Sequence, residues 1–263
     1  MPKEPLPYEN IKVLKWSEQG LKETIRPVVR EVPMTIYLNN QEIVTLLCLG
    51  DYPKTLAVGF LISEGLISRR EDLKSVLVEE DTGVVRVEVR DDTGLREKLY
   101  LRRTITSGCG KGTTFYHSLD ALTTQKIESS LHIHTDQVFD LMKKMTDRSE
   151  LYKITGGTHN SALAALDGLV LFRADIGRHN AVDKIFGECF LEAIPLEDKV
   201  LITTGRITSE ILIKTARMGI PVLISRSAAT TLAISLAQQV GVTLIGYVRG
   251  KNLIVYTGHD RVS

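Results

Sequence analysis

The chain has 263 residues, 43% of them hydrophobic, enough to bury a substantial core in one large unit or two modest ones. Lysine and arginine number 33 against 32 aspartates and glutamates, so no global field draws the protein to nucleic acid or to an anionic membrane, and any anion site is local. No stretch is apolar for long enough to span a bilayer. The first eight residues lack the apolar core of a signal peptide and are expected to form a loose arm.

Short strands are expected first, over residues 34–40 and 42–49 around an Asn39-Asn40 turn, then over 76–78 and 84–89 around Asp81-Thr82-Gly83. Between the two pairs Pro53 opens a helix that places Leu56, Ala57, Phe60 and Leu61 on one face, and Gly65 stops it. Cys48, inside the apolar run from Ile43 to Leu49, reads as a core residue. This part is expected to form a small N-terminal α+β domain, residues 1–131, ending in a glycine loop.

That loop, Thr106-Ser107-Gly108-Cys109-Gly110-Lys111-Gly112, carries one thiol with almost no bulk to shield it. Its glycines let a large partner approach the sulfur closely. Lys111 and the flanking Arg102, Arg103 and His117 favour the thiolate, the nucleophilic form. The alternative is a free surface thiol on a linker. Cys109 is the candidate catalytic residue.

From Asp136 onward apolar strands alternate with helices, the pattern of a layered α/β domain, here residues 132–263. The expected order is a helix over 136–145, a strand near Lys153-Ile154, a polar loop over 155–160, and a run over 161–166 that fits either strand or helix. A strand over 168–175 follows, then a helix with Asn180 as its cap and Cys189 on its apolar face. A strand over 200–204 leads to a helix capped by Ser209 and ended by Gly219. A strand over 221–225, a helix over 230–240 and strands over 242–248 and 253–256 complete the series. Three cysteines in such unlike settings form neither a disulfide framework nor a spaced metal set, which fits a reducing cytoplasm.

Arg178, Arg206, Arg226 and Arg249 each fall just after the carboxyl end of an expected strand, the edge where open α/β sheets bind ligands. Guanidinium groups pair with phosphate oxygens, and helix N-termini add backbone donors, so such a rim suits a phosphorylated or nucleotide-like ligand. Gly177, Gly205 and Gly250 keep the backbone open, and Thr204, Thr208, Ser209 and Ser227 offer hydroxyls. The competing reading is ordinary solvated loop arginines. His159 and His179, in polar glycine loops, are open to ligand binding, proton movement or a structural role. Asp175 and Asp183 are open to orienting Arg178 or His179, to binding a base edge, or to ending the strand and decorating the helix, with structural support the favoured reading.

The segments Asp51 to Gly65, Thr155-Gly156-Gly157-Thr158-His159, Gly177-Arg178-His179-Asn180-Ala181-Val182-Asp183-Lys184, Gly205 to Glu210, Ser225 to Thr230 and Gly246-Tyr247-Val248-Arg249-Gly250 occur in one order along nearly the whole chain. In that order they resemble the formate dehydrogenase accessory sulfurtransferases, the FdhD/NarQ family. The resemblance implies a larger domain similar to the cytidine deaminase fold, within a protein that is cytoplasmic and homodimeric. It implies a protein that takes sulfur from a cysteine desulfurase as a cysteine persulfide and passes it to the bis-guanine-dinucleotide molybdenum cofactor destined for formate dehydrogenase. Cys109 matches the persulfide-bearing position, and Tyr247, Val248, Arg249, Gly250, Lys251 and Asn252 match the cofactor-binding segment. GDP-like nucleotides are expected to mimic the cofactor. One position departs from the family pattern: Gly112 stands where many members have a second loop cysteine, so no disulfide or relay between two loop cysteines can operate here. One sulfur nucleophile suffices for carriage.

Two rivals remain at this level. A zinc deaminase would need His-x-Glu and Pro-Cys-x-x-Cys, and the chain has neither. A non-catalytic chaperone that holds the molybdenum cofactor for formate dehydrogenase would need the arginine rim but not Cys109.

Overall fold

The computed structural model describes residues 6–90 and 126–263, so the Cys109 loop lies outside the described residues. Near the start of the described residues lies a ribbon of two antiparallel strands, β1 (Tyr8–Ser17) and β2 (Gly20–Val29). The sequence reading missed it. Neither ribbon face is fully buried, so its residues lack the apolar/polar alternation that marks a strand with one face in a core.

Strands β3 (Val32–Leu38), β4 (Gln41–Cys48), β5 (Leu73–Glu79) and β6 (Val84–Val89) form a sheet in the order β4-β3-β6-β5. Asn39 and Asn40 both take positive φ, 46° and 64°, which the tight turn between β3 and β4 requires and asparagine tolerates. Helix α1 (Pro53–Ser63) lies on this sheet, with Leu56, Ala57 and Leu61 buried against Ile36, Leu38, Val85 and Val87. It ends before Gly65, whose φ of 73° reverses the chain as expected.

Six strands make the second sheet: β7 (His159–Ala165), β8 (Gly168–Asp175), β9 (Val200–Thr203), β10 (Val222–Ser225), β11 (Thr243–Arg249) and β12 (Asn252–Thr257), in the order β12-β11-β10-β9-β7-β8. The helices of this part are α2 (Thr135–Asp147), α3 (Glu150–Thr155), α4 (Arg178–Glu192), α5 (Ser209–Arg217) and α6 (Thr231–Val240). Alternate strand residues point to opposite layers. Leu163, Leu201, Leu223 and Leu244 join the core formed with α4, α5 and α6. Their neighbours Ala162, Ala164, Val200, Ile202, Val222, Ile224 and Ile245 join the core formed with α2. Each fully buried leucine contributes about 1.5–3 kcal/mol. The expected layered α/β architecture is present, and the fold as a whole is mixed α+β. No helix among the described residues is long and apolar enough to cross a membrane.

Several local expectations are corrected. Lys153 and Ile154 lie in the short helix α3, which has no buried residue and ends on Gly156 at φ 71°; two apolar positions were too few to define a period. The ambiguous run at 161–166 is mostly strand β7. Asn180 does not cap α4. The helix starts at Arg178 after Gly177, and the Asn180 amide instead donates to Leu47 O and Asp175 Oδ1, both at 2.9 Å. Ser209 is the first helical residue of α5 rather than its cap, a position held by Thr208. Cys48 and Cys189 are buried, as expected.

The two sheets are joined through α1 and α4, which cross at Gly59 and Gly187. A Cβ on Gly59 would overlap the carbonyl oxygen of Asp183, and one on Gly187 the carbonyl oxygen of Thr55. The helix backbones therefore touch directly.

Candidate functional site

Strands β9, β10 and β11 run parallel, and β7 is antiparallel to both β8 and β9, so β8 points the same way as the other three. All four carboxyl ends reach one sheet edge. This is the arrangement that brings Arg178, Arg206, Arg226 and Arg249 to a single rim, together with His159 at the start of β7 and Lys251 and Asn252 at the turn into β12.

Hydrogen bonds between neighbouring strand-end loops fix that rim. Thr204 N donates to Asn160 O at 2.9 Å, and Arg226 N to Thr203 O at 3.1 Å. Ile207 N reaches Ala228 O at 2.9 Å, and Tyr247 N reaches Ser227 O at 3.1 Å. Ser225 Oγ donates to Gly205 O at 2.6 Å, and Arg249 Nε to Arg226 O at 3.1 Å. Gly205 lacks a side chain for a reason: an added Cβ would sit 2.9 Å from the Cβ of Arg178, whose side chain lies over it. Tyr247, exposed, holds φ at 53°, a strained backbone for an aromatic residue, and the Arg249 guanidinium lies 5.7 Å from its ring centre. Val248, by contrast, points into the core beside α2.

The electrostatics follow from this crowding of cations. His179 is held down to about 3 by burial, then by Lys214, Arg178 and His159, while its Nε2 lies 3.2 Å from Glu210 Oε2. Burial first, then Arg178 and Arg206, lower His159 as well. Both rings are thus favoured in the neutral form near pH 7, leaving the positive charge to the arginines. Buried polar atoms at the same edge have no protein partner: Thr158 Oγ1, Asn160 Oδ1, Arg178 Nε and Thr208 Oγ1.

Asp175 and Asp183 are supports, but not for Arg178 or His179. Asp175 pairs with Lys184 Nζ at 2.6 Å and accepts from Gly177 N and the Asn180 amide; Lys184 also pairs with Asp51. Asp183 takes Lys214 Nζ at 2.6 and 2.7 Å and the Ser63 hydroxyl at 2.6 Å. Burial pushes the Asp183 carboxyl up, against the downward pull of Lys214 and Ser63. The sequence reading gave the two lysines no role; their signal was a charge on otherwise apolar helix faces. Among the described residues no group of three or more His, Cys, Asp or Glu side chains is placed to hold a metal ion.

A model of the FdhD/NarQ family matches residues 29–263, from the end of the ribbon to the last residue and through every rim segment. The chain belongs to the FdhD/NarQ family. This FdhD/NarQ member is 41% identical over 236 residues to the sulfur carrier protein FdhD of Bacillus pumilus, covering 90% of each chain. It is 41% identical over 254 residues to the protein of the same name from Listeria monocytogenes, covering 96% and 97%. A crystal structure from Desulfotalea psychrophila, described as a candidate formate dehydrogenase accessory protein, shares its fold at a TM-score of 0.80 and 25% identity, over 97% of this chain and 99% of that one.

Proposed function

We propose that this FdhD/NarQ member is a sulfur carrier in formate dehydrogenase maturation, taking sulfur on Cys109 from a cysteine desulfurase and delivering it to a bis-guanine-dinucleotide molybdenum cofactor at the rim. The names of the curated relatives support the carrier role, and the name of the structural relative supports the client. The observation that carries the acceptor assignment is the convergence of Arg178, Arg206, Arg226 and Arg249 on one sheet edge, beside histidines held neutral.

The cofactor enters as cargo. Its dinucleotide phosphates are the anions that a fork of guanidinium groups recognises, and Tyr247, Val248, Arg249, Gly250, Lys251 and Asn252 form the β11–β12 turn region that would lie against it. Tyr247 offers an exposed aromatic face for a base, whereas Val248 supports the turn from beneath. In the loading step the Cys109 thiolate attacks the outer sulfur of the donor persulfide. The donor's sulfur–sulfur bond breaks, its cysteine leaves as thiolate, and Cys109 retains the transferred sulfur as a persulfide. The step is an exchange and needs no external oxidant.

Incubation with a cysteine desulfurase and cysteine is expected to add one sulfur atom to Cys109, read by mass spectrometry of the loop peptide. Sulfur on Cys48 or Cys189 instead overturns the assignment. Cys109→Ala is expected to abolish maturation of formate dehydrogenase; full maturation by that variant would identify a chaperone. At the rim, Arg206→Ala is expected to weaken GDP binding about tenfold, and unchanged affinity rejects the site.

A further inference from the structure

The β1–β2 ribbon leaves the body beside the rim. Its root is held by Val29 against Gly157, two residues before His159, and by Arg30 N donating to Pro7 O at 3.0 Å. Cross-strand register places Val29, Ile25 and Leu21 of β2 on one face with Leu14 and Trp16 of β1. Beyond the root this face is open: Trp16 is 71% exposed, Leu14 66%, Leu21 65% and Ile25 60%. Helix α3 lies beside β2 and adds the exposed Tyr152 and Ile154, and from it the chain runs through Gly157 to His159 at the rim. A two-stranded ribbon alone is marginal in water, and an exposed apolar patch of this kind marks an interaction surface. Whatever docks on it comes to lie next to the rim.

We infer that this face docks the client enzyme that receives the cargo, through an apolar surface of that protein flanked by one acidic and one basic group. The inference rests on the carrier reading above and adds to it the surface that engages the client. The charges within the stripe decide against other covers. Lys12 on β1 and Glu23 on β2 lie in adjacent rows of the apolar face. Lipid would bury both charges in hydrocarbon, whereas another protein can set an opposite charge against each. A second copy does not: a two-fold axis crossing the strands between those rows lays Leu14 over Lys12 and Glu23 over Ile25. Position then separates client from donor. The desulfurase acts on the Cys109 thiol and has no need of the rim, but the client must come to the edge where the cargo is held.

The test uses the full-length protein and purified apo-formate dehydrogenase. Wild type is expected to bind the apoenzyme, and Trp16→Asp or Leu14→Asp to raise the dissociation constant about 30-fold or more, with the circular dichroism of the body retained. Lys12→Glu and Glu23→Lys are each expected to raise it about threefold to tenfold. Leu77→Asp, on exposed β5, serves as the control and should change nothing. In the Trp16 and Leu14 variants, desulfurase-dependent loading of Cys109 and GDP binding are expected to stay at the wild-type level while maturation of the client falls. Unchanged affinity in Trp16→Asp overturns the inference and leaves the carrier reading standing. Lost loading of Cys109 also overturns it, because the face then serves the donor. Trp16 is the only tryptophan of the chain, and its emission gives two further tests. A shift to shorter wavelength with vesicles of phosphatidylcholine and phosphatidylglycerol, or with rising protein concentration alone, assigns the face to lipid or to a second copy and overturns the inference. If wild type itself neither binds nor matures the apoenzyme, the carrier reading falls, and this inference with it.

Discussion

His179 is a histidine held neutral by burial and by the cations around it, and that has a measurable cost. In the unfolded chain its proton binds near pH 6.5; in the folded chain it binds only near about 3. The unfolded state therefore carries more protons throughout that interval, so stability is full above pH 6.5 and is lost as the pH falls towards 3. The side chain is 30% exposed, which keeps the slope below the ~1.4 kcal/mol per pH unit of a fully shielded group. His179→Gln is expected to flatten the pH dependence of denaturant unfolding between pH 6.5 and 4. A second prediction concerns thiols. Burial raises Cys48, and Cys189 is pushed up to about 12, so neither offers a thiolate near neutrality. Native alkylation at pH 8 is expected to leave both unlabelled, with both reacting once the protein is denatured.

The crossing of α1 and α4 belongs to a larger element of structure, because it is made by backbone rather than side chains. Gly187→Ala would drive a methyl group into the Thr55 carbonyl, and no rotamer relieves that overlap. We expect a loss of about 3 kcal/mol or more, seen as a lower denaturation midpoint with an unchanged slope. Elements of this kind were legible in part. The α1 face, the Asn39-Asn40 turn and the strand–helix alternation after Asp136 follow from period and turn chemistry, which act over a few residues. The arginine rim was legible too, since each arginine's place after a strand is a local fact. A shared edge was expected as well; the reversal of β7 that brings β8 into line with β9, β10 and β11 was not. Asn180 and Ser209 were misassigned as caps because capping preference names residue types, whereas tertiary partners decide which one is used. The roles of Lys184 and Lys214 were hidden for the same reason: Asp175 and Asp183 stand out in the sequence, but which cations they meet is decided by the packing of α4 against α5 and the segment before α1.

Those two lysines tie the elements carried by the first sheet to those of the second. Lys184 links Asp175 beneath the rim to Asp51 before α1, and Lys214 on α5 meets Asp183 on α4, which also takes Ser63 from α1. Leu47 and Leu49 add backbone bonds to Asn180 and Asp175. Ion pairs so enclosed are sensitive to the loss of either partner. Lys214→Met would leave the Asp183 carboxylate buried with only a hydroxyl for company, at an expected cost of about 3–5 kcal/mol. Thermal unfolding should report it, and a loss under about 1 kcal/mol would show that the pair is replaceable.

The loops at the ends of β9, β10 and β11 are tied mainly through backbone groups, so their shape depends little on which exposed side chains they display. Recognition can therefore be retuned without rebuilding the scaffold: changing an arginine alters what is gripped while the hand keeps its form.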